Sequence, residues 1–332
     1  MAAPEVIITG FADEGPVSKL AQEQLTMCRA LGLSYYSPRF VDLGNGVKNV
    51  MQLTAAELKK LNKLHAEYGI QPSSIGSPIG KIKLLDVDDG THNVFVPFDK
   101  YIQKNVPRAI EIAQELGCKL IRGFSFYHPK GTPAEEHIDE SAKRLSKIAK
   151  LCEKAGVVFG LEVEANLIGG NGWTEAALWK AVDNPNLVLI FDGANIICQG
   201  YTTEECVAQY KAMKKGLGWL HIKDYVRPKG AKLGYVDEEM LKHFVPCTVG
   251  DSGWETILRD LKASLPSMTS RLKKLGVPGV FLDLEPHLKG GGQFGGFSGC
   301  DGYGVALRCL TRQLDYVGID YKLTEYGDIK KL

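Results

Sequence analysis

Four residues able to bind a metal or move a proton each stand just past a short apolar run. They are Glu162 in VVFGLEVEAN, Asp192 in LVLIFDGAN, His221 in LGWLHIKD and Glu285 in VFLDLEPH. Each run is β-branched or aromatic and of strand length, which places each residue at the C-terminal end of a strand. Successive gaps are 30, 29 and 64 residues. A strand–helix unit takes roughly 30 residues, so the first three fall one per unit. Three carboxylates and an imidazole gathered at one mouth would repel or desolvate one another unless a cation sat between them. Oxygen-rich ligation with one imidazole suits one divalent cation, Mn²⁺ ahead of Mg²⁺ or Co²⁺, better than a thiolate-loving metal. The rival is that each acid is a helix cap or a solvated loop charge. Four such residues in register argue for the metal.

Such a site can remove a proton beside a carbonyl. A Lewis acid holding the carbonyl and a neighbouring hydroxyl oxygen stabilises the enediolate. One carboxylate takes the proton and another returns it from the other face. The same apparatus isomerises, epimerises or expels a β-leaving group, and the four ligands do not distinguish these outcomes.

The elements needed to position these groups alternate along the chain. Strand-like runs at 6–11, 33–36, 70–75, 120–126, 157–163, 187–191, 219–222 and 280–284 are interleaved with helical patterns. The helices include 17–31, 54–68 with Thr54 as N-cap, 98–116, 136–155 and 303–317. This alternation predicts a parallel sheet, and eight units predict a single (β/α)8 TIM barrel over residues 1–332 with long loops on its C-terminal face. The text after the first strand, GFADEGP, lacks the glycine fingerprint that an open dinucleotide-binding sheet requires. The long gap before Glu285 predicts a loop over 225–250 at the pocket, with 46–51 and 76–95 adding to the rim.

With 332 residues and 44% hydrophobic composition, the chain can bury a large core. Its net charge of +1 gives no basic field for a nucleic acid. No run of 18 apolar residues predicts a membrane span. Eight scattered cysteines without a CxxC pair, and an N-terminus that enters a strand at once, predict reduced thiols, no signal peptide and a cytoplasmic location.

The strings GLEVEAN, FDGAN, HIKD and LDLEPH together resemble the xylose-isomerase-like superfamily of barrel enzymes, especially its sugar isomerase/epimerase branch, over nearly the whole chain. The resemblance implies that Glu162, Asp192, His221 and Glu285 bind one divalent ion, and that Glu162 and Glu285 are the acid/base pair. Arg227 matches a substrate-contacting Arg of ketohexose epimerases; its alternative is a solvated loop residue. Asn195 stands where those epimerases usually carry His. Glu164 is expected on the face of Glu162, as an outer carboxylate or a substitute ligand. His128 is a candidate base, hydroxyl partner or loop cap. Lys223, Arg39 and Lys81 are candidate substrate contacts, Asp224 a structural acid, and Trp173 a sugar-stacking or packing residue.

The leading expectation is thus a metal-dependent sugar isomerase or epimerase. The resemblance also admits a 3-oxo-glycoside lyase, whose large subunit works with a small β-rich partner subunit. Its abasic-site nucleases need several histidines at a trinuclear zinc site, and few of the seven histidines here fall at strand ends. Barrels of this group often self-associate as homo-oligomers, but no residue here dictates it. The glycine-rich stretch 288–304 is expected to form a lid, with Phe294 and Phe297 over the pocket, rather than a phosphate cradle.

Overall fold

The structure, a computed structural model, describes residues 5–289 and 296–329. Eight parallel strands surround one interior: β1 (Glu5–Gly10), β2 (Tyr35–Tyr36), β3 (Ser74–Ile79), β4 (Leu120–Gly123), β5 (Val158–Glu162), β6 (Leu187–Asp192), β7 (Leu217–Ile222) and β8 (Phe281–Leu284). The main sheet runs β3-β4-β5-β6-β7-β8-β1, with a short β9 (Asp320–Tyr321) added against the start of β1. The curled sheet closes through β2. That strand pairs with Gln71–Pro72 just ahead of β3, and the Ser37 amide past its end donates to Gly10 O at 2.8 Å. The expected α/β barrel is therefore present.

Ten helices among the described residues follow or link these strands: α1 (Ala21–Ala30), α2 (Ala55–Tyr68), α3 (Phe98–Glu115), α4 (Ile138–Ala155), α5 (Gly172–Val182), α6 (Gly193–Ile197), α7 (Thr203–Met213), α8 (Trp254–Lys274), α9 (Gly299–Val317) and α10 (Tyr326–Ile329). Thr54 caps α2 as its sequence predicts: its hydroxyl accepts from Glu57 N while Glu57 reaches back to Thr54 N. Several boundaries differ from expectation, and two of the differences trace to pairing with other segments. Helix α1 begins at Ala21, not Val17, because Lys19 has φ 55° and Leu20 is extended and bridges to Asp42. Strand β3 runs to Ile79, past the expected end, because its register slips between Ile75 and Ile79, where the sheet tolerates Pro78. The loop after β7 carries a small hairpin, Asp224–Tyr225 against Phe244–Val245.

The barrel is filled rather than open. Trp219 on β7 lies inside, and a Cβ at Gly160 on β5 would come within 2.0 Å of its ring. Glycine there lets the indole cross the barrel beneath the mouth. A second glycine, Gly80 at φ 93°, lets the loop after β3 cross the end of β4, where a Cβ would meet Phe124 O at 1.9 Å. Apolar side chains between strands and helices join one large core.

No helix among the described residues is long and apolar enough to cross a membrane. All eight cysteines are free, and six are buried.

Candidate functional site

The C-terminal strand ends bring the four sequence candidates together. Glu162 closes β5, Asp192 closes β6, His221 is next to last on β7, and Glu285 follows β8. His221 is in register with Asp192 on one side and Asp283 on the other. Its Nδ1 lies 3.0 Å from Glu162 Oε1, 3.5 Å from Glu285 Oε2 and 3.9 Å from Asp192 Oδ2. All four residues are buried, and one ligand atom from each lies within 4.8 Å of the others.

Basic side chains stand among these acids. Lys223 Nζ is 2.8 Å from Glu285 Oε2 and 3.0 Å from Asp192 Oδ2. Arg122 Nη1 is 3.3 Å from Glu162 Oε2, and Arg39 Nη1 donates to Glu285 Oε1 at 2.6 Å. The Lys223–Asp192 contact lacks hydrogen-bond alignment, so Asp192 Oδ2 remains without a hydrogen-bond partner. Burial raises the Glu162 carboxyl, but His221 and Arg122 outweigh it and bring it to about 2. Burial is likewise outweighed at Glu285, chiefly by Lys223 and His221, which hold it well below the usual range. At Asp192 burial wins over Lys223 and pushes the group up to about 6. Burial opposes protonation of His221, yet Glu162 and Glu285 raise it to about 10. Three carboxylates converging on one imidazole nitrogen, with a buried Asp192 oxygen unsatisfied, fit a hard divalent cation. An ion bound there would displace the imidazole proton.

Below this layer lies a belt of buried hydroxyls. Ser37 donates to Asp283 at 2.5 Å and sits 3.0 Å from both Ser73 and Ser74, and Ser73 reaches Thr9 at 2.6 Å. Above it a cavity of about 310 Å³ opens. That lies at the small end of ligand pockets, which hold about 300–1,000 Å³.

The family model for xylose isomerase-like TIM barrels matches residues 25–288. The chain belongs to that family. Solved structures of the same architecture resemble it at low identity. A xylose isomerase-like TIM barrel protein from Mycobacterium smegmatis, in complex with magnesium, is 18% identical, with TM-score 0.59, over 95% of this chain and 100% of that one. A D-allulose 3-epimerase from Methylomonas sp. is 16% identical, with TM-score 0.59, over 95% and 100%. The probable 3-DHS dehydratase of petrobactin synthesis from Bacillus anthracis is 15% identical, with TM-score 0.61, over 92% and 98%. No curated protein matches the chain in sequence.

Of the seven outer candidates that the sequence offered, five line the cavity. Arg39 and Lys223 do so from beside the carboxylates. Asn195 donates to Val163 O at 3.1 Å and approaches Glu162 Oε1 at 3.4 Å. Lys81 and Glu164 pair at 2.7 Å across the mouth. Glu164 lies beyond the end of β5, which accounts for its place at the rim rather than among the four. Two candidates are not among the lining residues. Arg227 commits its guanidinium to Gly200 O and Ala231 O, at 2.9 and 2.6 Å, and so pins the loop after β7. His128 stacks on His137 and lies 3.1 Å from Pro129 O. Trp173 is half exposed and packs on Tyr201. Phe294 lies outside the described residues; Phe297 is half-buried, and its carbonyl accepts from Lys289 N at 2.8 Å.

Sequence reasoning missed Arg122, Asp13, Glu14 and His287. Arg122 was legible as a charge inside the apolar run LIRGF, a position that demands a buried partner. Asp13, Glu14 and His287 are loop residues whose partners become apparent only when the strand ends meet. Arg39 links to Asp13 at 3.1 Å and Glu14 at 3.3 Å, and His287 Nδ1 lies 3.0 Å from Glu14.

Proposed function

We propose that the protein is a metal-dependent carbohydrate isomerase or epimerase that works by proton transfer beside a carbonyl. The observation that carries this reading is the buried convergence of Glu162, Asp192, His221 and Glu285 at the barrel mouth, their ligand atoms within 4.8 Å. These four residues would hold the ion, with Mn²⁺ as the first choice. When bound, the cation supplies Lewis-acid polarisation of a substrate carbonyl. Glu162 and Glu285 remain ionised at neutral pH, the form in which a carboxylate accepts a proton. Arg122 lies 3.3 Å from the first and 3.8 Å from the second, so one guanidinium orients both. In this reading one takes the proton from carbon and the other returns it. Lys223 and Asn195 stand where substrate oxygens would reach, and the walls from Phe40, Leu241 and Phe244 exclude water.

The test is incubation of Mn²⁺-loaded protein in D₂O with a panel of ketoses and 3-oxo-glycosides, followed by NMR. Deuterium in a recovered or epimerised ketose is the expected result. Release of an aglycone instead would assign a lyase, because the same proton removal then expels a β-substituent. Glu162→Gln and Glu285→Gln should each lower turnover by at least about 10²-fold, the scale of general acid/base catalysis. Unchanged turnover in either would remove that residue from the acid/base pair.

A further inference from the structure

Strand β8 carries an acid inside its apolar run, Asp283 in VFLDLEPH. Such a charge is buried only with partners. Asp283 is fully buried, with Thr9 of β1 and His221 of β7 in register on its two sides. Parallel neighbours in register send their side chains to one face, with the strands about 4.8 Å apart. That face is the barrel interior, where Ser37 of the hydroxyl belt donates to Asp283 Oδ2 at 2.5 Å. Asp283 Oδ1 is buried without a hydrogen-bond partner.

His221 has a matching unmet group. Its Nδ1 is the nitrogen that meets Glu162, Asp192 and Glu285. Its Nε2 is buried without a hydrogen-bond partner. Phe11 meets the imidazole edge-on, with ring centroids 5.3 Å apart, and offers it no acceptor. Trp219 Nε1, two residues earlier on the same face of β7, is a further buried donor without a partner. One unmet acceptor and two unmet donors thus face the interior, and no direct bond joins His221 to Asp283. Buried groups of this kind are joined by water, which makes about three hydrogen bonds.

We propose that Asp283 is a positioning residue for the metal centre: through one buried water its Oδ1 accepts from His221 Nε2–H and so turns Nδ1 toward the ion. This rests on the metal-centre reading above. An imidazole whose second nitrogen donates toward a carboxylate is fixed in tautomer and ring orientation, and it is a more basic ligand. The link also runs outward. Ser37 holds Asp283 by its hydroxyl and holds β1 by its amide, which donates to Gly10 O at 2.8 Å. The seam that closes the barrel and the centre at its mouth are then connected through Ser37, Asp283, the water and His221.

The experiment combines NMR and calorimetry on the intact protein. Histidine rings are labelled with ¹⁵N, and the His221 signal is assigned by its loss in His221→Gln. In metal-free wild type we expect Nε2 to carry a slowly exchanging proton with a cross-peak to a bound water. Asp283→Asn keeps the shape and an acceptor for Ser37 but removes the charge. It should move the Nε2 proton signal upfield and weaken Mn²⁺ binding by about 10- to 100-fold. Ser37→Ala, which frees the carboxyl but keeps its charge, should weaken binding less. The proposal is overturned by an unprotonated Nε2, by the absence of the water cross-peak, or by unchanged Mn²⁺ affinity in Asp283→Asn. Weakened affinity with the Nε2 signal unmoved also overturns it, since Asp283 would then act by charge alone. The wild-type spectrum decides the first two whether or not the variants fold. Failure of the wild type to bind Mn²⁺ removes the metal centre itself, while the metal-free spectra still report on the contact between His221 and Asp283.

Discussion

Glu175 shows what burial does to a single acid that nothing neutralises. It lies on α5, fully buried, and neither carboxyl oxygen has a hydrogen-bond partner. A Cβ at Gly169 would meet Oε1 at 2.2 Å, so the chain leaves the carboxyl no slack. Burial, then the charge of Glu162, pushes its pKa well above the ordinary 4.5. The folded state therefore keeps a proton that the unfolded chain releases. The stability this proton supplies is complete below about pH 4.5 and is lost as pH rises through the folded pKa. Glu175→Gln keeps the shape without the titration. Its melting temperature should exceed that of the wild type at about pH 8, and the gap should close near about pH 4. A pH-independent gap would mean that Glu175 is not held neutral. The four clustered residues Glu162, Asp192, His221 and Glu285 were visible from sequence because each interrupts an apolar run at its end. Glu175 was not, since an acid in a helix is ordinarily solvated and only packing reveals that this one is enclosed.

At the scale of elements, what was legible followed from local chemistry. The alternation of strand and helix, the Thr54 cap and the long loop after β7 all rest on short-range patterns. The late start of α1 and the extended β3 do not, because each is set by pairing with a distant segment: Leu20 with Asp42, and Ile79 with Gly123. The loop after β7 depends on one such non-local anchor. Asp224 accepts from the amides of Tyr225, Ser252, Thr248 and Gly250 at 2.8, 3.0, 3.1 and 3.1 Å. That loop carries Leu241 and Phe244 to the cavity wall. Removing a buried acceptor leaves several amides without partners, each worth about 1–3 kcal/mol. Asp224→Ala should destabilise the protein by roughly 3 kcal/mol in denaturant melts. It should also speed amide exchange at Thr248–Ser252 and raise KM more than it lowers kcat. Exchange unchanged in that stretch would show that the hairpin alone holds the loop. The cap of α2 is a smaller case: Thr54→Ala should cost about 1 kcal/mol.

For the whole molecule the weak point is the closure of the barrel, because β2 contributes only two residues between β1 and β3. His65 on α2 braces it. Its Nε2 lies 2.7 Å from the Tyr36 hydroxyl, and its ring meets the Tyr36 ring edge-on at 5.4 Å. Burial lowers the imidazole from 6.5 to about 4. Between those values the unfolded chain binds a proton that the folded chain refuses, so the contribution is present above about pH 6.5 and lost as pH falls through about 4. A shift of this size corresponds to about 3 kcal/mol. Asp192 and Asp283, both pushed up to about 6, act with the opposite sign, gaining stability as pH falls through the same region. The wild-type slope is thus a net of opposed groups, and the difference between wild type and a His65 variant isolates one of them. His65→Phe keeps the ring but not the proton site, and it leaves the Tyr36 hydroxyl unpaired. It should be less stable than the wild type at neutral pH, and the deficit should shrink or invert by about pH 4.5. Protection of the Ser37 and Ser73 amides, which bond β2 to its neighbours, should fall in wild type across that range and hold steady in the variant. Parallel loss of protection in both proteins would place the acid-sensitive step elsewhere, at the carboxylates of the mouth rather than at the seam of the barrel.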